Sequence, residues 1–142
     1  MKKPALVFVV EDDRLFQEIL VHHLSHTFGF QVEAYCSGEE CISNISKNPQ
    51  IIILDYHLMN ANGIEVLKRI KNSEQDNYIL VVSSEEGNKV ALESIRNGAY
   101  DYIQKDENTL DKITEKIELL QNLKEAMNIR KRRLSIMGLS PW

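Results

Sequence analysis

Ala5-Leu6-Val7-Phe8-Val9-Val10 runs without a polar break into Glu11-Asp12-Asp13. A continuous apolar run, without alternation, marks a strand buried on both faces, as in a parallel sheet. Ile51-Ile52-Ile53-Leu54, ending in Asp55, and Tyr78-Ile79-Leu80-Val81-Val82, ending in Ser83-Ser84, have the same character. Phe30-Gln31-Val32-Glu33-Ala34-Tyr35 alternates instead and reads as an edge strand with one wetter face. Tyr100-Asp101-Tyr102-Ile103, ending in Gln104-Lys105, is a short fifth strand.

Helical patterns fill the gaps. Leu15, Ile19, Leu20 and Leu24 share one face behind Asp13, an N-cap residue type. Ser37 and Glu40 have capping-box spacing, with Ile42 and Ile45 following. Ile64, Leu67 and Ile70 form a stripe after Asn62-Gly63. Val90, Ala91, Ser94 and Ile95 form another, closed by Asn97-Gly98. Leu110, Ile113, Ile117 and Leu120 form a fifth. Strand followed by helix, five times, predicts an α/β fold. The expected form is a flavodoxin-like doubly wound five-stranded parallel sheet, order 2-1-3-4-5, flanked by five helices with the last extended. No internal repeat or low-complexity segment is visible.

The chain has 142 residues, enough for one domain with a real core. Hydrophobic residues at 43% and charged residues at 27% are ordinary for a globular protein. A net charge of −4 gives no general reason to expect nucleic acid as a partner. Cys36 and Cys41 fit neither a disulfide scaffold nor a zinc spacing and read as reduced thiols. After Met1-Lys2-Lys3-Pro4, the six apolar residues 5–10 are too short for a signal peptide or a membrane span, so a cytoplasmic protein is expected. Asn44-Ile45-Ser46 fits a glycosylation pattern that carries no weight in that setting.

In a doubly wound sheet ligands bind beyond the carboxyl ends of the strands. Here those ends carry Glu11-Asp12-Asp13, Asp55, Ser83-Ser84 and Lys105. Two carboxylates about 5 Å apart repel by roughly 3 kcal/mol at an effective dielectric near 20. A hard cation relieves this, and oxygen ligands suit Mg²⁺. A carboxylate beside Mg²⁺ can attack a phosphoryl group in line, giving an aspartyl phosphate. Lys105 would neutralise the transferring oxygens and Ser83 donate to one of them. No Gly-rich phosphate loop is present, so the phosphoryl donor must come from outside the chain.

Val9-Val10-Glu11-Asp12-Asp13, Ile51-Ile52-Ile53-Leu54-Asp55, Val81-Val82-Ser83-Ser84, Gly98-Ala99 and Tyr102-Ile103-Gln104-Lys105 together resemble the receiver domain of two-component response regulators. The resemblance implies a receiver over residues 4–121; residues 122–142, a departure from a minimal receiver, read as an extended C-terminal helix and tail. It implies that Asp55 is phosphorylated, with a histidine kinase or phosphotransfer protein as donor. Mg²⁺ would be held by Glu11, Asp12, Asp55 and the backbone carbonyl of His57. Ser83 and Lys105 match the family's hydroxyl and lysine positions, and Tyr102 the aromatic switch. His57 and Glu85 fall at the two variable positions that tune hydrolysis. The output surface would lie on the fourth helix, fifth strand and fifth helix. Two departures modify this picture. Lys105 is followed by Asp106 instead of the proline that usually follows a cis bond, and a cis bond without proline costs about 3–4 kcal/mol. Met59 replaces a frequent proline, while Gly63 keeps its place.

Other features are weighed against simpler explanations. His22, His23 and His26 have spacing that can bind a metal, but read as a solvated helix face. Tyr100 reads as core packing. The segment 106–133 reads as one helix of about 40 Å without Gly or Pro. Leu120, Leu123, Met127 and Leu134 suggest a coiled-coil linker or dimer seam, weakened by Lys124 and Lys131, with a polar, partly frayed extension as the alternative. The run Arg130-Lys131-Arg132-Arg133 reads as solvated and not as a nucleic-acid site. Gly138 and Pro141 mark a loose end. A phosphorylation-switched module without turnover chemistry, beyond its own phosphotransfer and slow self-dephosphorylation, is therefore expected. It would pair with a kinase, a relay partner or a second copy through the output face or the last helix, with no membrane involved. A metal-dependent phosphohydrolase would show Asp-x-Asp, but His57 stands second after Asp55. A flavodoxin-like phosphate binder would need a hydroxyl-rich loop where Glu11-Asp12-Asp13 stands.

Overall fold

The computed structural model describes residues 3–59 and 62–140; Met1, Lys2 and Pro141, used in the reading above, lie outside the described residues. Two compact units are distinguished, residues 1–107 and 108–142. The first contains β1 (Leu6–Val10), α1 (Arg14–Phe28), β2 (Gln31–Tyr35), α2 (Gly38–Ser43), β3 (Ile51–Asp55), α3 (Gly63–Asn72), β4 (Tyr78–Ser83), α4 (Lys89–Arg96) and β5 (Asp101–Gln104), with a short 3₁₀ turn at Ile45–Lys47. The second carries α5 (Thr109–Ile136). The five strands are parallel in the order β2-β1-β3-β4-β5, as the strand–helix alternation predicts.

The burial explains the runs. All five residues of β3 are buried, as are Val7–Val10 and Ile79–Ser83. Phe8, Val10, Ile52, Leu54, Ile79 and Val81 join Cys41 of α2 and Ile64, Leu67 and Ile70 of α3 in one cluster. The alternate positions Val7, Val9, Ile51, Ile53, Leu80 and Val82 are equally buried on the other face. Each such side chain contributes about 1.5–3 kcal/mol. β2 takes an edge, with uneven burial that leaves Ala34 exposed and Tyr35 inside.

Local chemistry sets the helix starts. The Phe16 N–H donates to Asp13 Oδ1 (3.2 Å), the Glu40 N–H to Ser37 Oγ (3.2 Å) and the Ile64 N–H to Asn62 Oδ1 (2.7 Å). Gly98 follows α4 at φ 100°, a left-handed conformation that a side chain would resist. Cys36 and Cys41 are free thiols, and burial pushes Cys41 up to about 12. Among the described residues no helix is long and apolar enough to cross a membrane.

Four readings need correction. Leu15 is 69% exposed and Ile19 is also outside, so α1 buries only Leu20 and Leu24. These two lie one turn apart, and a four-residue stripe is wider than this helix needs. Ile95 of α4 and Tyr100 are exposed as well. Tyr100 meets Tyr78 edge-on at 5.5 Å between ring centres, instead of entering the core. α5 begins at Thr109, not Asp106, because Asp106-Glu107-Asn108 form a bend and turn, as short polar side chains favour. On this helix Ile113, Ile117 and Leu120 are buried, with Leu110 only half-buried.

Candidate functional site

Register brings the strand ends together. Val10 is level with Leu54, Asp55 with Val82 and Ser83 with Gln104. The residues leaving β1, β3, β4 and β5 therefore arrive at one edge. Glu11, Asp12 and Asp55 place carboxylate oxygens within 4.8 Å of one another, the one such acidic group among the described residues. Glu11 and Asp55 are 2% and 6% exposed. The Lys105 ammonium donates to Glu11 Oε1 (2.8 Å) and stands 3.6 Å from Asp55 Oδ1.

Glu11 carries the electrostatic load. Its Oε2 is buried without a hydrogen-bond partner among the described residues. Burial pushes its carboxyl up to about 8; Asp55 adds to the shift and Lys105 opposes it. An orphaned carboxyl oxygen in an all-oxygen set fits a hard divalent cation such as Mg²⁺. The sign of the pH effect follows. The folded chain holds this proton above the ordinary 4.5, so stability from Glu11 is full below 4.5 and lost as pH rises to about 8. In cation-free buffer the urea midpoint should fall across that window, and Glu11→Gln should flatten the slope. A midpoint that does not depend on pH in the wild-type chain would contradict this.

A second group of contacts converges on Glu85. Its N–H donates to Ser83 Oγ (3.1 Å), its carbonyl accepts from the Tyr102 hydroxyl (3.0 Å), and its Oε1 lies 3.1 Å from His57 Nε2. The His57 N–H in turn donates to Asp55 Oδ1 (3.1 Å). A depression of about 530 Å³ beside the acidic group is lined by Asp12, Tyr56, His57, Leu58, Met59, Asn62 and Glu85. Gly63 starts α3 with its N–H donating to the Tyr56 carbonyl (2.7 Å). A Cβ there would stand 2.6 Å from Tyr56 Cα and 3.0 Å from the Asp55 carbonyl oxygen. The glycine thus lets α3 approach the end of β3.

The expected residues thus fall into two linked sets: Glu11, Asp12, Asp55 and Lys105 in one, and the buried Ser83 with His57, Glu85 and Tyr102 in the other. Tyr102 is half-buried against the core cluster with its hydroxyl directed to Glu85. Every peptide bond among the described residues is trans, including Lys105–Asp106. The rings of His22 and His26 stack at 3.9 Å and join no metal-holding group among the described residues. Two residues went unnoticed in the sequence. Phe16 lies beneath the Lys105 ammonium, 4.7 Å from ring centre to nitrogen. Gln17 donates to the carbonyls of Glu11 (2.9 Å) and Tyr35 (3.2 Å). Their position in the first turn after the acidic triplet was the only available signal.

A family model described as the response regulator receiver domain matches residues 7–118. The protein-glutamate methylesterase/protein-glutamine glutaminase of Thermotoga maritima is 32% identical over 133 residues, covering 90% of this chain and 39% of that protein. Response regulator MprA of Mycobacterium sp. (strain KMS) is 31% identical over 103 residues, covering 72% of this chain and 44% of that one. The chain thus spans about two fifths of the length of these curated relatives. The solved structure of a response regulator receiver domain protein (CheY-like) from Methanospirillum hungatei JF-1 has a TM-score of 0.77 at 20% identity, covering 87% of this chain and 99% of that one. That likeness is one of fold.

Proposed function

Because the chain belongs to the response regulator receiver domain family, we propose that it stores a phosphoryl group on Asp55 and converts the added charge into a changed surface. The observation that carries this reading is the gathering of Glu11, Asp12 and Asp55 within 4.8 Å, faced by the Lys105 ammonium. Glu11, Asp12, Asp55 and the backbone carbonyl of His57 would hold Mg²⁺. When bound, that ion neutralises charge on the transferring oxygens. In this reading the receiver spans 4–121 and residues 122–142 extend it.

Both His57 N–H and Lys105 face Asp55 Oδ1, and the other carboxylate oxygen is the nucleophile. It attacks phosphorus in line; the O–P bond forms as the bond to the donor's imidazole nitrogen breaks, and the electron pair leaves with that nitrogen. The donor is a histidine kinase or a phosphotransfer protein. The charge beside Lys105 goes from the single negative charge of the carboxylate to about −2 on the acyl phosphate, and Lys105 compensates the increase. Ser83 gives up the Glu85 N–H and donates its own proton to a phosphoryl oxygen. Glu85 shifts with it, the Tyr102 hydroxyl loses its acceptor, and the ring turns inward. His57 and Glu85 at the rim set how readily water reaches the phosphoryl group. The change is read on α4, β5 and α5 by a partner or a second copy.

Acetyl phosphate with Mg²⁺ should add one acid-stable, base-labile phosphoryl group, detected by mass. Removal of Mg²⁺ with EDTA should suppress the adduct. A chain that stays unmodified in the presence of both reagents would remove the reading.

A further inference from the structure

The C-terminal part of α5 presents a face to which the phosphorylation reading assigns no residue. Leu123, Met127, Arg130, Leu134 and Met137 follow one another at alternating spacings of four and three, the period of a helix seam. Leu123, Met127 and Met137 are exposed at 48%, 44% and 68%, and Leu134 is half-buried. Leu119, exposed at 52%, broadens the same stripe at its start. A solvated helix extension has no need of this apolar line.

The charges decide what can cover it. From residue 121 to 140 the chain has five basic residues, Lys124, Arg130, Lys131, Arg132 and Arg133, and one acidic residue, Glu125. Lys124 and Lys131 edge one side of the stripe, Arg133 edges the other, and Arg130 stands within it. At about 100° per residue, Glu125 lies roughly 140° around the helix from Arg130, away from the stripe. A second copy in parallel register would set Arg130 against Arg130 and offer no carboxylate to either. A lipid surface would draw an arginine in the middle of the apolar line toward the acyl layer, where a charge is costly. An acidic helix satisfies both needs, with apolar residues along its seam and carboxylates along its edges and opposite Arg130.

We propose that residues 119–137, the last part of α5 with its cap Met137, are the docking face for an acidic amphipathic helix of a different protein. A heterologous seam on this helix stands beside the expected self-paired one, and the test below separates the two. Burial of Leu123, Met127 and Leu134 supplies the attraction, and Arg130 paired to a carboxylate supplies the selection.

The test uses the whole chain and a designed 28-residue peptide with leucine at both seam positions, glutamate along both edges and one glutamate placed opposite Arg130. Sedimentation and fluorescence anisotropy should give a 1:1 complex that weakens as salt is raised. Arg130→Glu should weaken it by about thirtyfold, on the scale of a central interface arginine. Leu123→Asp should abolish it with helix content by circular dichroism unchanged, and Glu125→Gln, on the far side, should leave it intact. The absence of a 1:1 complex overturns the proposal. So does a dimer of the chain itself that excludes the peptide, or binding to phosphatidylglycerol vesicles or duplex DNA in the peptide's place. None of these readouts depends on Asp55, so they stand or fall apart from phosphorylation.

Discussion

Asp55→Asn should reduce phosphoryl loading from acetyl phosphate by more than about a hundredfold, the scale at which loss of a nucleophile is felt. The substitution keeps shape and volume, so the buried end of β3 should fold as before. An amide nitrogen and oxygen, however, provide no anionic nucleophile. The same change removes one charge from a crowded group. In cation-free buffer it should raise stability by on the order of 1 kcal/mol, less than the full repulsion between two carboxylates, because Asp55 also loses its attraction to Lys105. Mass spectrometry reads the first effect and urea unfolding the second. Label surviving on the Asn variant would place the acceptor elsewhere.

Gly63→Ala is the second change with a large expected effect, and its sign runs against helix propensity. In the interior of a helix, alanine in place of glycine is favoured by about 1 kcal/mol. At this position the new methyl would stand 2.6 Å from Tyr56 Cα, and the obstruction is main chain, which cannot rotate away. Overpacking of this kind costs about 1–3 kcal/mol, so a net loss is expected. The displaced segment carries Asp55 and His57, so Mg²⁺ affinity should fall together with the urea midpoint. Calorimetric titration alongside unfolding would reveal it. A variant as stable as the parent, with unchanged Mg²⁺ affinity, would show that the contact relaxes without consequence.

Some of this could be read from the chain and some could not. Strands buried on both faces leave an unbroken apolar record, which is why β1, β3 and β4 and their order were legible. The acidic residues at the strand ends were legible because parallel strands bring those ends to one edge. Helix faces were less so, since periodicity reports which side chains align and not which of them meet the sheet. Leu15, Ile19 and Ile95 have the right spacing and remain outside. Contacts made through loops leave no periodic trace at all. The ring of Phe16 under Lys105, the amide of Gln17 and the meeting of His57 with Glu85 depend on how separate turns approach one another.

Among the described residues, the main chain of residue 85 bonds to Ser83 and to Tyr102, and its side chain to His57. In the proposed function, substitution at this position would reset the clock of the signal without releasing its resting conformation. Lifetime and threshold would then be separately adjustable, and a timing change at residue 85 need not alter the state in which the molecule waits.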